Sequence, residues 1–128
     1  MRGKAQGRAS DAGADALVVS NHGGRQLDGD LPTIAALPTV MEKVGGRLEV
    51  LLDGGICRGQ SVVKAMALGA EGCLVGRAFL YGLASAGERG VALAIEILKA
   101  EIDATIAHIG INDVRELARR RAEFLITA

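Results

Sequence analysis

The chain has 128 residues, of which 49% are hydrophobic, and its 15 Lys and Arg balance its 15 Asp and Glu. This length and apolar content suit one domain with a hydrophobic core, and they exclude a disordered segment. Zero net charge and few aromatic residues exclude the usual features of nucleic-acid binding, and no apolar run approaches the roughly 20 residues of a membrane span.

In chain order, the first predicted element is the tail of a helix over residues 1–13, closed by Gly13. Three apolar runs that are too short for helices then predict buried strands. These runs cover residues 16–20, 48–52 and 72–75. Each is followed by a glycine-containing turn and a helical pattern, which is the βα rhythm of an α/β fold with a parallel sheet.

The predicted helices cover residues 33–44, 59–68, 78–86 and 91–109, with a last short helix over 113–120 capped by Asn112. Pro38 is expected to break or kink the first of them, because proline lacks the backbone N–H. The longest helix carries apolar residues at spacings of three and four, which predicts one buried stripe. The stripe consists of Val91, Ile95, Leu98, Ile102, Ile106 and Ile109.

Polar chemistry follows the first predicted strand at once, in the segment SNHGGRQLD that begins at Ser20. Histidine is the side chain best suited to accept a proton near neutral pH. Arginine can bind a carboxylate through two parallel hydrogen bonds. His22 and Arg25 together therefore indicate a site for a small organic acid, although a histidine in this position is more often an ordinary loop residue.

Two further turns have the character of phosphate-binding sites. Asp53-Gly54-Gly55 follows the second predicted strand, and Gly76-Arg77 follows the third. Backbone N–H groups at the start of a helix, with a nearby cation, bind anions. Each pattern taken alone is also common as a plain turn or a helix cap.

The segment SNHGGRQLD resembles the motif of the FMN-dependent α-hydroxy acid oxidase and dehydrogenase family, and the likeness extends over about residues 11–120. It implies a (β/α)8 TIM barrel, of which residues 1–128 form a partial domain containing strands six to eight. A complete barrel takes about 250 residues. We therefore expect a C-terminal portion, with the flavin-contacting lysine and the aspartate that orients the histidine lying outside it.

The resemblance implies that the reaction is oxidation of a 2-hydroxy acid to a 2-oxo acid with FMN as cofactor. His22 is then the catalytic base and a substrate contact, taking a proton from either the hydroxyl group or C2. Arg25 is the arginine that binds the substrate carboxylate. The implied cofactor contacts are Ser20, Asp53, Gly54, Gly55, Gly76 and Arg77.

One position departs from the family pattern. The family usually has a phosphate-binding arginine four residues after the aspartate of the DGG turn, and this chain has Cys57 there. The adjacent Arg58 is the expected substitute in binding the cofactor. The resemblance leaves open which 2-hydroxy acid is oxidised, and whether oxygen, a cytochrome or a quinone accepts the electrons.

Two alternatives remain at this point. Another phosphate-binding barrel enzyme, acting on inosine monophosphate or isopentenyl diphosphate, shares glycine-rich turns after its last strands. A truncated or split-barrel chain without catalysis would instead associate with itself or with a complementing N-terminal barrel half. With two cysteines in no metal-ligand spacing and no apolar leader, we expect a reduced, cytoplasmic protein without a metal site.

Overall fold

The fold is that of a computed structural model, which describes residues 8–9, 11–44 and 46–124. Most of the predicted helix tail over residues 1–13 lies outside the described residues. Within that tail, residues 8, 9 and 11 are helical, and Gly13 has a φ of 81°. This left-handed backbone is what glycine provides at the end of a helix.

Three parallel strands form one sheet in the order β1-β2-β3. They are β1 Ala16–Val19, β2 Glu49–Asp53 and β3 Gly72–Leu74, so each predicted strand is present with its ends moved by about one residue. In the register of the sheet, Val19 lies beside Leu52 and Asp53 beside Leu74. All three strands therefore end at the same edge, and the three turns that follow them share that edge.

The helices are α1 Thr33–Val44, α2 Gly59–Ala67, α3 Arg77–His108, α4 Glu116–Arg119 and α5 Arg121–Phe124. α1 continues through Pro38, so of the predicted break or kink, the break is wrong. The proline lies on the exposed side of the helix, where water can satisfy the carbonyl that its missing N–H leaves free.

The last predicted helix starts later than expected. α4 begins at Glu116 with Arg115 at its cap position, so Asn112 is not the cap. The segment before it is instead held by Asp113, whose Oδ1 accepts a hydrogen bond from the backbone N–H of Arg115 at 2.9 Å. No helix within the described part of the chain has the length and apolar character needed to cross a membrane.

The main core lies between the sheet and α1. Val50 and Leu52 of β2 are fully buried there, against Leu37 and Val44 of α1. A second cluster joins α2, α3 and α4 around Ile106 and Leu117. On the opposite face of the sheet, Val18 and Leu74 are exposed in the described part of the chain.

α3 consists of two helical segments, since Ala86 (φ −154°) and Gly87 (φ 58°) interrupt it. The two separate helices predicted for this region are thus confirmed. The first segment folds back on the second until their backbones touch. A Cβ added to Gly82 would lie 2.6 Å from the carbonyl oxygen of Gly90, and one added to Gly90 would overlap the carbonyl oxygen of Gly82.

The apolar stripe of the second segment is buried at Leu98 and Ile106, as its spacing predicts. Ile95 is an exception, because 42% of it is exposed. Its angular position on the helix is that of a core residue. Nothing in the described part of the chain covers it.

We expect Gly90→Ala to destabilise the fold, because the atoms nearest to the new methyl group are the backbone carbonyl of Gly82, which cannot move aside easily. Overpacking of this kind costs about 1–3 kcal/mol. Urea unfolding should show a lower midpoint with an unchanged slope. Gly76→Ala is the control, since nothing lies within 4 Å of its added Cβ. Equal midpoints for the two variants would contradict the close contact of the segments.

Candidate active site

A cavity of about 230 Å³ lies at the edge where the three strands end. The turns after β1, β2 and β3 each contribute to its wall, as expected for the carboxyl ends of parallel strands. It brings together most of the site residues predicted from the sequence: His22, Arg25, Asp53, Gly54, Gly55, Gly76 and Arg77. These residues span more than fifty positions of the chain, so their meeting is a product of the fold.

His22 has a left-handed backbone, with a φ of 55°. Among the described residues, it is the only residue other than glycine with a positive φ. Such a conformation is unfavourable for a residue with a Cβ and is often found at functional sites. Two hydrogen bonds from backbone N–H groups to side chains help to hold the turn. The His22 N–H donates to Ser20 Oγ at 3.0 Å, and the Gly23 N–H donates to Asn21 Oδ1 at 3.0 Å. The imidazole is thus placed by a constrained turn.

Ser20 also links the turn after β1 to the turn after β2. Its hydroxyl donates to Asp53 Oδ2 at 2.6 Å, a short bond of the charge-assisted kind. The same oxygen accepts from the His22 N–H. Ser20 and Asp53 were both predicted as cofactor contacts, and the structure shows that they also contact each other.

The turn after β2 is built on two left-handed glycines, Gly54 (φ 100°) and Gly55 (φ 79°). Gly54 is enclosed, because a Cβ there would lie 2.8 Å from Asn21 Oδ1 and 3.3 Å from Thr33 Oγ1. The Thr33 hydroxyl donates to the Gly54 carbonyl at 3.0 Å. Sequence reasoning missed Asn21 and Thr33, and the available signals were an Asn before His-Gly-Gly and a Thr at a helix start.

Arg77 stands at the amino terminus of α3, where no side chain caps the helix. Its guanidinium reaches the His22 turn, since a Cβ added to Gly23 would lie 3.9 Å from Arg77 Nη2. The cavity wall thus holds His22, Arg25 and Arg77 together with Asp53. Two guanidinium groups, of Arg25 and Arg77, thus face one carboxylate, of Asp53. Such an excess of positive charge beside a helix amino terminus suits an anionic ligand.

Cys57 and Arg58 face different ways. Cys57 lines the cavity, whereas Arg58 lines a separate groove with Glu101 and His108. The backbone of Arg58 is extended (φ −139°, ψ 153°), and successive side chains of extended backbone point to opposite sides. The structure therefore does not bring Arg58 to the predicted cofactor contacts.

The orientation of Arg58 is fixed by the start of α2. The Gly59 N–H donates to Glu101 Oε2 at 2.7 Å, and Gly59 packs against α3 so closely that a Cβ would lie 2.5 Å from the Ile102 nitrogen. Glu101 is a further residue that sequence reasoning missed. Its carboxylate accepts a hydrogen bond at the amino terminus of α2. The helix amino terminus that lines the cavity is therefore that of α3.

Comparison with known proteins gives a consistent result. The family model for FMN-dependent dehydrogenases matches residues 1–123. The L-lactate oxidase of Nostoc sp. is 47% identical over 117 residues, which are 91% of this chain and 32% of that protein. The pre-mycofactocin synthase of Mycolicibacterium smegmatis is 51% identical over 110 residues, covering 86% of this chain and 28% of that protein.

The structural comparison agrees with the sequence comparison. A crystal structure of mandelate oxidase with benzoyl-formic acid superposes with a TM-score of 0.87 and 45% identity, over 93% of this chain and 36% of that one. The chain therefore spans about a third of the length of the relatives that it matches.

The two cysteines should differ sharply in reactivity. Burial raises the pKa of the Cys73 thiol to about 11, so this thiol stays protonated and unreactive at about pH 8, whereas Cys57 is exposed at the cavity. A thiol-specific chromophore should modify Cys57 rapidly in the folded chain and the half-buried Cys73 much more slowly. Cys57→Ser should abolish the rapid phase. Equal rates in the folded chain would contradict the burial of Cys73.

Proposed function

The chain belongs to the FMN-dependent dehydrogenase family, and we propose that it forms the cofactor- and substrate-binding edge of an oxidoreductase that converts a 2-hydroxy acid to a 2-oxo acid. The observation that carries this proposal is the cavity in which His22, Arg25 and Arg77 meet two glycine turns. Relatives named L-lactate oxidase, L-lactate dehydrogenase and mandelate oxidase support the choice of a hydroxy acid.

The proposed architecture is a (β/α)8 barrel to which this chain contributes strands six to eight. Two features support it. The two outer strands of the sheet each have an unpaired edge in the described chain, and the face of the sheet away from α1 exposes Val18 (48%) and Leu74 (45%). Such edges and apolar faces need a partner. We propose that an N-terminal barrel portion covers them, or that copies of the chain associate through them.

Arg25 and His22 divide the work on the substrate. Arg25 binds the carboxylate through its two parallel N–H groups, which fixes the orientation of the hydroxyl-bearing carbon. The hydroxy acid loses two hydrogen atoms in this oxidation, and His22 would accept one of them as a proton, while the electron pair would pass to the flavin. The constrained turn around His22 limits the positions that the imidazole can take, so the base is held ready for the substrate.

The residues present fit the phosphate and sugar-alcohol chain of FMN. The Gly54–Gly55 turn and the uncapped start of α3 offer backbone N–H groups, Arg77 offers a cation, and Asp53 can accept hydrogen bonds from hydroxyl groups. When bound, FMN supplies the two-electron acceptor of the reaction. The protein supplies position, charge and the proton acceptor.

The chain alone should bind little FMN and should not oxidise lactate or mandelate. A fusion to the part of the Nostoc relative that precedes the matched region should be yellow and should reduce a dye acceptor with a 2-hydroxy acid. The reason is that strands from both parts are needed to enclose the cofactor and the histidine. A yellow, active chain without the added part would refute the proposed division of the barrel.

Arg25→Lys in the same fusion tests the substrate site. A lysine is a point charge and cannot reproduce two parallel bonds, so KM for the hydroxy acid should rise at least roughly tenfold and kcat should fall. Flavin content should stay unchanged, because Arg25 is proposed to contact substrate. An unchanged KM would remove Arg25 from the carboxylate site.

Cys57→Arg should tighten FMN binding, because Cys57 lines the cavity while Arg58 does not. One added charge-assisted contact is worth about 1.5–3 kcal/mol, which corresponds to a roughly tenfold to hundredfold lower Kd. Flavin fluorescence titration of the fusion measures it. Riboflavin, which lacks the phosphate, should bind both versions equally. Equal FMN affinities would mean that the side chain at position 57 does not contact the phosphate.

A further inference from the structure

Thr33 is a buried polar residue that the proposed mechanism does not use. It is the first residue of α1 and is 4% exposed. Among the described residues, it is the only polar side chain that is buried. A buried hydroxyl is costly unless it makes a hydrogen bond. Its partner is the Gly54 carbonyl, 21 positions away and in the turn after β2.

The hydroxyl does not serve as an ordinary helix cap. A capping threonine accepts hydrogen bonds from the first backbone N–H groups of its helix. In α1 the N–H groups of Ala35 and Ala36 donate to the Pro32 carbonyl instead, at 3.0 and 3.2 Å. The Thr33 hydroxyl donates its hydrogen bond outside the helix, to the turn after β2. Its role therefore concerns the contact between the start of α1 and the turn after β2.

Gly54 also lies against Asn21, which belongs to the histidine turn. A Cβ on Gly54 would lie 2.8 Å from Asn21 Oδ1, so Gly54 forms a close wall behind the Asn21 side chain. Asn21 Oδ1 accepts the Gly23 N–H that closes the turn around the left-handed His22. A continuous series of contacts thus runs from Thr33 through Gly54 and Asn21 to the histidine.

We propose that Thr33 is a positioning residue for His22. Its hydroxyl fixes the Gly54 carbonyl, Gly54 holds the Asn21 amide over the Gly23 N–H, and His22 is thereby kept left-handed. The turn that carries the base and the turn assigned to the cofactor then move as one unit. The importance of this for catalysis rests on the proposed function, but the coupling of the two turns does not.

The test uses isotope-labelled samples of the full chain without flavin. Thr33→Val keeps the shape of the side chain and removes the hydroxyl, and Thr33→Ser restores the hydroxyl. Thr39→Val makes the same change at an exposed position of the same helix. Nuclear magnetic resonance gives two readouts, the three-bond coupling of the His22 amide, which reports φ, and the hydrogen exchange of the Gly23 amide.

In Thr33→Val, the His22 coupling should leave its left-handed value, and Gly23 exchange should rise on the order of tenfold, the factor for one lost hydrogen bond. Thr33→Ser and Thr39→Val should match the unmodified chain in both readouts. A Thr33→Val chain that is folded and unchanged at His22 and Gly23 would overturn the proposal, and it would leave Thr33 a role in the fold alone.

A second measurement covers a Thr33→Val chain that fails to fold. In the unmodified chain, the Gly23 amide in the histidine turn and the Ala36 amide in the first turn of α1 should exchange with the same opening free energy and the same urea dependence. The reason is that the series of contacts through Thr33 makes these two segments open together. Independent opening of the two amides would contradict the coupling. Since no readout involves flavin, neither result depends on whether the protein oxidises a hydroxy acid.

Discussion

The hydrogen bond from the Ser20 hydroxyl to the Asp53 carboxylate joins the ends of β1 and β2, and it ties together two of the turns that line the cavity. At 2.6 Å it is short, and the same hydroxyl oxygen accepts the N–H of His22. One side chain therefore sets the distance between the two turns and also supports the unfavourable backbone of the histidine. The parallel register makes this possible, because it places the last residues of β1 and β2 at the same edge.

Features with a local cause could be predicted from the sequence. The three strands, their helices and the meeting of His22, Arg25, Asp53 and Arg77 at one edge follow from apolar periodicity and the turn residues between elements. The errors arose where solvent access or a competing local contact decides. Water access lets α1 continue through Pro38, and an Asp113 contact replaces the expected Asn112 cap.

Contacts between distant residues explain what the sequence did not reveal at the site. Thr33 and Asn21 meet at Gly54 only once β1, β2 and α1 are packed, and no spacing along the chain encodes that meeting. The direction of Arg58 follows from the Glu101 carboxylate, 42 residues from the Gly59 N–H that it accepts. With Arg58 in a separate groove, Cys57 leaves the cavity with one guanidinium fewer than the family pattern, so Arg77 carries more of the attraction for an anion.

The contact between Gly82 and Gly90 makes the two segments of α3 mechanically stiff. Where backbone touches backbone there is no side chain to rearrange, so a small displacement of the long segment cannot be absorbed at the crossing. The short segment begins at Arg77, so the crossing also fixes where this arginine stands relative to the long segment. The far end of the long segment packs on α2 and α4 through Ile106, so one crossing of backbone on backbone connects the second core cluster with the arginine beside the histidine turn.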